Sequence, residues 1–235
     1  MAVYRIADIN MKINPESLYT KNLLCNYIVN TENFDVEISI TKNDIEFEVE
    51  ISNGVAYDIC EATAIFRKIC NLLLYDFNGI FLHSATIIYK GRAYAFVAPS
   101  GTGKTTHIML WKRLFKDKIK ILNGDKLLMR IQNKKIIAYG NPWQGKENLG
   151  ENSSCELGGI YILRRSQKNF VENISPYKAL ENLINSTIFP KDVEGKNKVI
   201  DFFEKIIEKI DVCILNCNME TDAVYTALLR IEKGD

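Results

Sequence analysis

The spacing of apolar and polar positions changes along the chain, and these changes predict a mixed α/β fold. Residues 34–40 and 45–51 alternate strictly, with an apolar residue at every second position and acidic or polar residues between. A period of two is typical of a half-exposed strand, so we predict two antiparallel strands joined by a turn near residues 41–44. Over residues 61–75 the apolar positions recur at helical spacing, which predicts a helix that links these strands to the core.

The rest of the chain switches repeatedly between the two periods. Short apolar runs predict strands at residues 79–88, 92–97, 119–122, 126–132, 135–139 and 159–163. Longer amphipathic stretches predict helices at residues 104–115, 176–185, 197–210 and 221–231. Several strands follow one another directly, so hairpins are more frequent than in a doubly wound parallel sheet. We therefore expect an α/β protein with a mixed sheet.

Length and composition limit the classes of function. With 235 residues, of which 47% are hydrophobic, the chain can bury one main core. We expect a small β-rich N-terminal lobe over residues 1–60 and a core over residues 61–235, with one continuous domain as the alternative. The net charge of +1 offers no field of one sign, so neither nucleic acid nor a membrane surface is an expected partner.

Cysteine spacing and hydropathy point to a cytoplasmic protein. The six cysteines form no C-x-x-C pair and have none of the histidine spacings of a zinc site, which favours free thiols in a reducing compartment. The N-terminus alternates apolar and polar residues and does not resemble a signal peptide, and no apolar run approaches the length of a membrane span.

A glycine-rich segment, VAPSGTGKTT at residues 97–106, follows the predicted strand at residues 92–97. It matches the phosphate-binding loop G-x-x-x-x-G-K-[ST] except that Ala98 replaces the first glycine. In such loops backbone N–H groups surround phosphate oxygens, while the lysine reaches the β and γ phosphates and the hydroxyl reaches Mg²⁺. Ala98 is acceptable unless its position needs positive φ or close packing. The expected nucleotide-binding residues are Ser100, Gly101, Thr102, Gly103, Lys104, Thr105 and Thr106.

Phosphoryl transfer also needs a carboxylate for the metal and a group that orients the acceptor. Asp125 follows a short apolar strand about twenty residues after the lysine, which suits that role, although a turn residue is the alternative. His83 lies in an apolar strand, where a buried histidine with satisfied hydrogen bonds is the usual explanation. The second histidine, His107, is interpreted as helix surface or core packing.

These motifs resemble those of a known superfamily. The segments HSA at residues 83–85, SGTGKTT at residues 100–106 and NGD at residues 123–125 occur in the order found in the HPr kinase and phosphoenolpyruvate carboxykinase superfamily. The resemblance covers about residues 81–163. It implies an HPr kinase/PEP carboxykinase-like P-loop core, ATP and Mg²⁺ as cofactors with Mn²⁺ as an alternative, and phosphate or metal roles for His83, Lys104 and Thr105.

The chain is most similar to small bacterial members of that superfamily, which carry S-G-T-G-K-S-T-H, N-D-D-K and G-T-P-W-x-G-K. Here the corresponding segments are SGTGKTTH, NGDK and GNPWQGK. Some relatives are peptide serine kinases, so the resemblance implies an acceptor hydroxyl on a peptide, a protein or a small molecule. It also suggests that Trp143 forms part of the acceptor wall and that Lys146 lies near the phosphates, against the alternative of a surface connection. Arg164 and Arg165 could face the acceptor or the transferred phosphate, with a solvated strand end as the alternative; of the two, Arg164 is the substrate candidate.

One departure from the family pattern affects the chemistry. Alignment on Lys126 puts Gly124 where relatives carry the first of two aspartates, which is the general base in HPr kinases. In the other alignment Asp125 takes the place of the first aspartate and Lys126 the place of the second. We favour the alignment on Lys126, because the asparagine and the lysine of the family segment then both match. Asp125 could then serve both metal and acceptor, or His83 could assist the acceptor.

Two functional hypotheses follow. The first is an ATP-dependent, Mg²⁺-dependent kinase that transfers the γ-phosphate to a hydroxyl. The alternative is a catalytically impaired nucleotide-binding regulator or scaffold of the same fold. A carboxykinase reaction is disfavoured because the chain is too short for that substrate-binding domain. The oligomeric state, including a homo-oligomer, is left open.

Overall fold

The computed structural model describes residues 2–234 and shows a mixed α/β protein with two mixed sheets and seven α-helices. The strands are β1 (Ala2–Ile6), β2 (Ile9–Ile13), β3 (Ile28–Val29), β4 (Val36–Ile38), β5 (Gly79–Tyr89), β6 (Arg92–Val97), β7 (Ile119–Asn123), β8 (Lys126–Gln132), β9 (Lys135–Tyr139), β10 (Ser154–Arg165), β11 (Phe170–Asn173) and β12 (Asp211–Cys217). The helices are α1 (Leu18–Leu24), α2 (Lys42–Ile51), α3 (Tyr57–Asp76), α4 (Lys104–Phe115), α5 (Pro176–Ile184), α6 (Val193–Lys209) and α7 (Thr221–Gly234), with 3₁₀ turns at Cys25–Tyr27 and Lys116–Lys118.

The N-terminal sheet has the strand order β3-β1-β2-β4. Strands β1 and β2 form an antiparallel hairpin, and β4 pairs with β2 in parallel. The predicted hairpin of residues 34–40 and 45–51 is therefore wrong: only Val36–Ile38 is a strand, and residues 45–51 belong to helix α2. Residues 2–60 contain α1, α2 and the start of α3 as well as four strands.

Helix α2 begins at a capping box that the alternating pattern concealed. The Thr41 hydroxyl accepts a hydrogen bond from the Asp44 backbone N–H, and the Asp44 carboxylate accepts one from the Thr41 N–H. Only Ile45 and Glu48 of the helix are buried, one turn apart, while Phe47 is 45% exposed. The alternation therefore does not mark a buried face, and reciprocal capping sets the local structure.

The second sheet has eight strands. Seven of them follow the order β11-β12-β10-β6-β5-β8-β9. The eighth, β7, pairs with residues 86–89 of β5, whereas β8 pairs with residues 79–83 of the same strand. Strand β10 is parallel to both β6 and β12, whereas β5, β6, β8 and β9 are joined by antiparallel pairing. Because β10 also pairs with β9, the pairings β5–β8–β9–β10–β6–β5 close into a circuit. The elements predicted from residue 61 onward are confirmed, but β11 and β12 were not predicted.

Helices cover both faces of this sheet. From β6, Tyr94 and Phe96 pack into a cluster with α4 and α7, while Ala93, Ala95 and Val97 pack into a second cluster with α5 and α6. Burial on both faces explains why β6 is a nearly continuous apolar run.

Helix α3 joins the two sheets, as predicted. Its residues Ile65, Ile69 and Leu73 share a cluster with Ile6 and Met11 of the N-terminal sheet. Among the described residues, no helix combines the length and the apolar character that a membrane crossing requires.

Candidate functional site

The glycine-rich loop connects the end of β6 to the first turn of α4. Gly101 and Gly103 have φ values of +74° and +122°, which L side chains rarely adopt. Ala98 is not among the residues with positive φ, and its methyl group is buried in the cluster that contains Phe96 and Ile108. Glycine is therefore not required at position 98, in agreement with the condition set from the sequence.

Lys104 joins the two ends of this loop. Its ammonium group donates a hydrogen bond of 2.8 Å to the Ala98 carbonyl oxygen, and the residue is 7% exposed. Burial lowers the pKa of Lys104, and the negative charge of Asp125 opposes that shift. The lysine and the aspartate are thus electrostatically coupled across the site.

Asp125 lies opposite the loop because of strand pairing. His83 of β5 pairs with Lys126 of β8, which brings the preceding residue beside the histidine. The Asp125 carboxylate lies 3.1 Å from His83 Nε2 and accepts a 2.7 Å hydrogen bond from Lys126 Nζ. The hydrogen bond with His83, followed by the charge of Lys126, holds the pKa of Asp125 well below its usual value. Asp125 is therefore ionised at neutral pH.

Two asparagines hold the backbone around Asp125. The Asn123 side chain accepts hydrogen bonds from the N–H groups of Asp125 and Lys126, at 2.9 and 2.7 Å. Asn141 donates to the Lys126 carbonyl and accepts from the Trp143 N–H. These contacts connect the turn before β8 to the start of the 140–150 segment.

The 140–150 segment packs directly against Asp125. Gly145 has a φ of +80°, and a Cβ at that position would lie 2.9 Å from the Asp125 Cβ. The Trp143 indole donates to the Ala62 carbonyl of α3 at 3.1 Å, and its ring centroid lies 4.9 Å from that of Phe66. Trp143 therefore fastens the segment to α3.

Gly124 is also in close contact with this segment. Its N–H donates to the Leu149 carbonyl at 2.8 Å, and a Cβ would lie 3.0 Å from the Gln144 carbonyl oxygen. A carboxylate at position 124 would thus require the backbone near residues 144–149 to shift.

A cleft of about 1420 Å³ brings most of the expected site residues together. Its lining includes His83, Ser100, Gly101, Gly103, Lys104, Thr105, Thr106, Asp125, Trp143 and Lys146. Thr102 and Arg164 instead line a much smaller adjacent cavity of about 20 Å³. Thr105 supplies a hydroxyl and Asp125 a carboxylate to the same cleft, and Mg²⁺ in nucleotide sites is commonly held by one or two carboxylates together with phosphate oxygens.

The two arginines after Leu163 differ in their contacts. Arg164 pairs with Glu172 at 3.4 Å on the surface. Arg165 donates to the carbonyls of Gly101 and Thr102, at 2.5 and 3.2 Å. The sequence pointed to both arginines and favoured Arg164; it did not predict the contact of Arg165 with the loop, because both lie at a strand end and no local pattern separates them.

Other contributors were missed as well. No role was predicted for three residues of the family segments, namely Asn123 and Lys126 in NGDK and Asn141 in GNPWQGK. The first two match the family pattern, and that match was a usable signal. The part of the cleft wall formed by α1 could not be anticipated, because α1 was not predicted.

Comparison with known proteins leaves the family unassigned. No protein-family model matches the chain. Over 169 residues it is 27% identical to reverse gyrase 2 of Aquifex aeolicus, a match that covers 62% of this chain. The chain spans only 13% of the length of that curated relative. The Hpr(Ser) kinase/phosphatase from Coxiella burnetii is similar at a TM-score of 0.37 and 12% identity, over 65% of this chain and 95% of that one.

Proposed function

We propose that this protein is an ATP-dependent kinase that transfers the γ-phosphate to a hydroxyl group. One observation carries the proposal: a lysine-containing glycine-rich loop and an ionised aspartate paired with a histidine line the same cleft. The resemblance of the same segments to motifs of the HPr kinase superfamily also supports it.

The loop supplies the elements of a phosphate site. Two glycines with positive φ let the backbone curl, and α4 begins directly after the loop, so its N-terminal N–H groups and helix dipole favour an anion. Lys104 donates to the Ala98 carbonyl. Phosphate oxygens would replace that carbonyl as a stronger, charged acceptor.

Thr105 and Asp125 are the residues that would hold Mg²⁺. When bound, the ion would neutralise negative charge on the phosphates. Within residues 2–234 there is no group of three or more His, Cys, Asp or Glu placed to hold a metal by themselves. This fits an ion that takes most of its ligands from phosphate and water.

Asp125 is also the group that would orient the acceptor. Its depressed pKa makes it a weak base, so it would accept a hydrogen bond from the acceptor hydroxyl and take the proton late. The loose transition state of phosphoryl transfer requires little early deprotonation. His83 positions the carboxylate through the 3.1 Å contact.

Calorimetric titration with ATP, in the presence and absence of Mg²⁺, tests this proposal. We expect wild type to bind Mg²⁺-ATP, Lys104→Met to lose about 10- to 100-fold in affinity, and Asp125→Asn to lose the metal dependence. Lys120→Met, which removes an exposed lysine paired with Glu151, is the matched control and should bind like wild type. Absence of binding by wild type would contradict the proposal.

The regulator or scaffold remains a second candidate because Gly124 occupies the position of a base in the favoured register. Gly124→Asp is a poor test of lost catalysis, since the new side chain would displace the Gln144 backbone. The better criterion is ADP formation and phosphate transfer by wild type. The regulator is favoured if wild type binds nucleotide but forms no ADP and transfers no phosphate, and if Asp125→Asn gives the same results as wild type.

A further inference from the structure

The cleft is larger than a single nucleotide requires. Pockets for small molecules and cofactors are typically about 300–1,000 Å³, whereas this cleft measures about 1420 Å³. It extends from the glycine-rich loop to α1, the loop before α3 and the first turns of α3. A second substrate therefore has room beside the phosphates.

The charged residues of the cleft lining lie outside the wall contributed by residues 19–66. The charged side chains in its lining come from α4, the start of β8 with the turn before it, and the 140–150 segment: Lys104, Asp125, Lys126, Lys146 and Glu147. The wall contributed by residues 19–66 contains no charged residue: Tyr19, Asn22, Leu23, Asn26, Tyr27, Val55, Ile59, Ala62, Thr63 and Phe66. The Lys126 ammonium, which lies beside Phe66 of this wall, already pairs with Asp125, so a charged group bound here would lose hydration without gaining a free partner of opposite charge.

The uncharged wall is apolar and partly open to solvent. Val55 and Ile59 are each 40% exposed, and Tyr19 is 44% exposed. Apolar side chains of a ligand would remove this surface from water, which favours binding. A small polyol such as glycerol would cover little of this apolar surface.

Amide side chains accompany the apolar residues. Asn22, Asn26, Gln144 and Asn152 line the same cleft. Each amide can donate and accept hydrogen bonds, as a peptide bond does. Apolar side chains together with amides match a peptide segment, whose backbone is polar and whose side chains supply the apolar surface.

We propose that the wall formed by α1, residues 55–59 and α3 binds the acceptor as an uncharged peptide segment with apolar side chains beside its hydroxyl-bearing residue. This inference rests on the proposed kinase function and names its substrate class.

The contact between Lys126 and Phe66 sets the spacing within that segment. The Lys126 ammonium lies 5.9 Å from the Phe66 ring centroid and also binds the Asp125 carboxylate. The apolar wall thus begins one side chain away from the group that would receive the hydroxyl. The apolar residue of the peptide should be a close sequence neighbour of the phosphorylated residue.

Peptide pools provide the test. Three pools of ten-residue peptides carry one central serine flanked by uncharged apolar, acidic or basic residues; glycerol is the small-molecule probe. Label transfer from γ-labelled Mg²⁺-ATP is measured for each. Equilibrium binding of fluorescent serine-to-alanine versions is measured without nucleotide. We expect the apolar pool to bind and be labelled at least 10-fold better than the acidic and basic pools and glycerol.

Variants of the wall locate the effect. Ile59→Asp and Val55→Asp should each weaken binding of the apolar pool about 10-fold while leaving Mg²⁺-ATP affinity unchanged. Both positions are exposed, and an aspartate at position 59 falls in the first turn of α3, where negative charge is favourable. Leu229→Asp, at a 61% exposed position of α7 outside the cleft lining, is the matched control.

Several outcomes would overturn the inference. They are equal use of the pools, preference for a charged pool or glycerol, no peptide binding at all, or wild-type affinity in both wall variants. Failure of the kinase proposal is a separate result. It would appear as absent nucleotide binding or absent phosphate transfer, whereas peptide binding is measured without nucleotide and does not depend on either.

Discussion

His107 follows the glycine-rich loop closely in sequence but belongs to the core. Its Nε2 accepts a 3.1 Å hydrogen bond from the Trp111 indole, so the neutral ring carries its proton on Nδ1. Its centroid lies 4.5 Å from that of Phe96, and the residue is only 3% exposed. Burial lowers the pKa of His107 to about 3. The interpretation as core packing is confirmed.

Because of His107, we expect the free energy of unfolding to fall on acidification already at pH values above the range where carboxylates titrate. The unfolded chain binds a proton at His107 below about pH 6.5, whereas the folded protein does not until about pH 3, so stability present above pH 6.5 is lost as the pH falls. The loss at pH 5 relative to pH 8 should be about 2 kcal/mol. Urea unfolding at both pH values measures it.

The variant His107→Gln keeps an acceptor for Trp111 but cannot titrate. Its free energy of unfolding should change less than that of wild type between pH 8 and pH 5, although it is lower at pH 8 because the packing differs. Equal pH dependence in the two proteins would rule out His107 as the source.

At this scale the sequence predicted the residues whose chemistry is tied to a motif. Lys104, Asp125 and His83 were selected from their segments, and they line one cleft. The contacts of Asn123 and Arg165 could not be predicted in the same way. Their contacts are to backbone groups whose positions depend on the path of the folded chain, and side-chain type alone does not reveal such partners.

Among structural elements, the glycine-rich loop is braced from β10. Arg165 donates to the carbonyls of Gly101 and Thr102, which fixes the orientation of two peptide groups in the loop. We expect Arg165→Met to release them, to speed amide hydrogen exchange over residues 100–103 and to weaken Mg²⁺-ATP binding about 2- to 10-fold. Hydrogen exchange and calorimetry measure the two effects.

The neighbouring arginine offers a close control. Arg164→Met removes the same charge one position earlier, but its partner is the exposed Glu172, so loop exchange and nucleotide affinity should be unchanged. Equal effects of the two substitutions would indicate that charge, rather than the contact with the loop, is responsible.

Elements with one dominant period were predictable, and those with competing signals were not. The apolar run of β6 and the amphipathic helix α4 were placed correctly, because burial alone determines both patterns. Helix α2 was mistaken for a strand because Ile45, Phe47, Val49 and Ile51 alternate. Its capping box and the buried Glu48, which pairs with Arg67, override that pattern. A T-x-x-D signal before the run would have been the better guide.

On the scale of the whole molecule, one carboxylate ties α1 to α3. Glu61 of α3 is 3% exposed and accepts hydrogen bonds from the Ser17 N–H at 3.1 Å, the Thr20 hydroxyl at 2.6 Å and the Glu16 N–H at 2.5 Å. Burial raises the pKa of Glu61, but hydrogen bonds from Ser17 and Thr20 outweigh it and hold the pKa below its usual value. Because α1 and α3 both line the cleft, this contact sets the shape of the proposed acceptor wall.

Glu61→Gln should loosen that wall and spare the phosphate end. An amide has one oxygen and would turn its NH₂ group toward donors that the carboxylate now satisfies, so we expect a loss of about 1–3 kcal/mol in the free energy of unfolding. Amide exchange over residues 17–24 should become faster, and affinity for the apolar peptide pool should fall while Mg²⁺-ATP affinity is kept. Glu50→Gln, at an exposed position of α2, is the control.

Because the pKa of Glu61 is depressed by folding, the stability difference between wild type and Glu61→Gln should be full above about pH 5 and shrink as the pH falls through the usual glutamate range. A difference that persists undiminished at pH 3 would show that the carboxylate charge does not hold α1 in place.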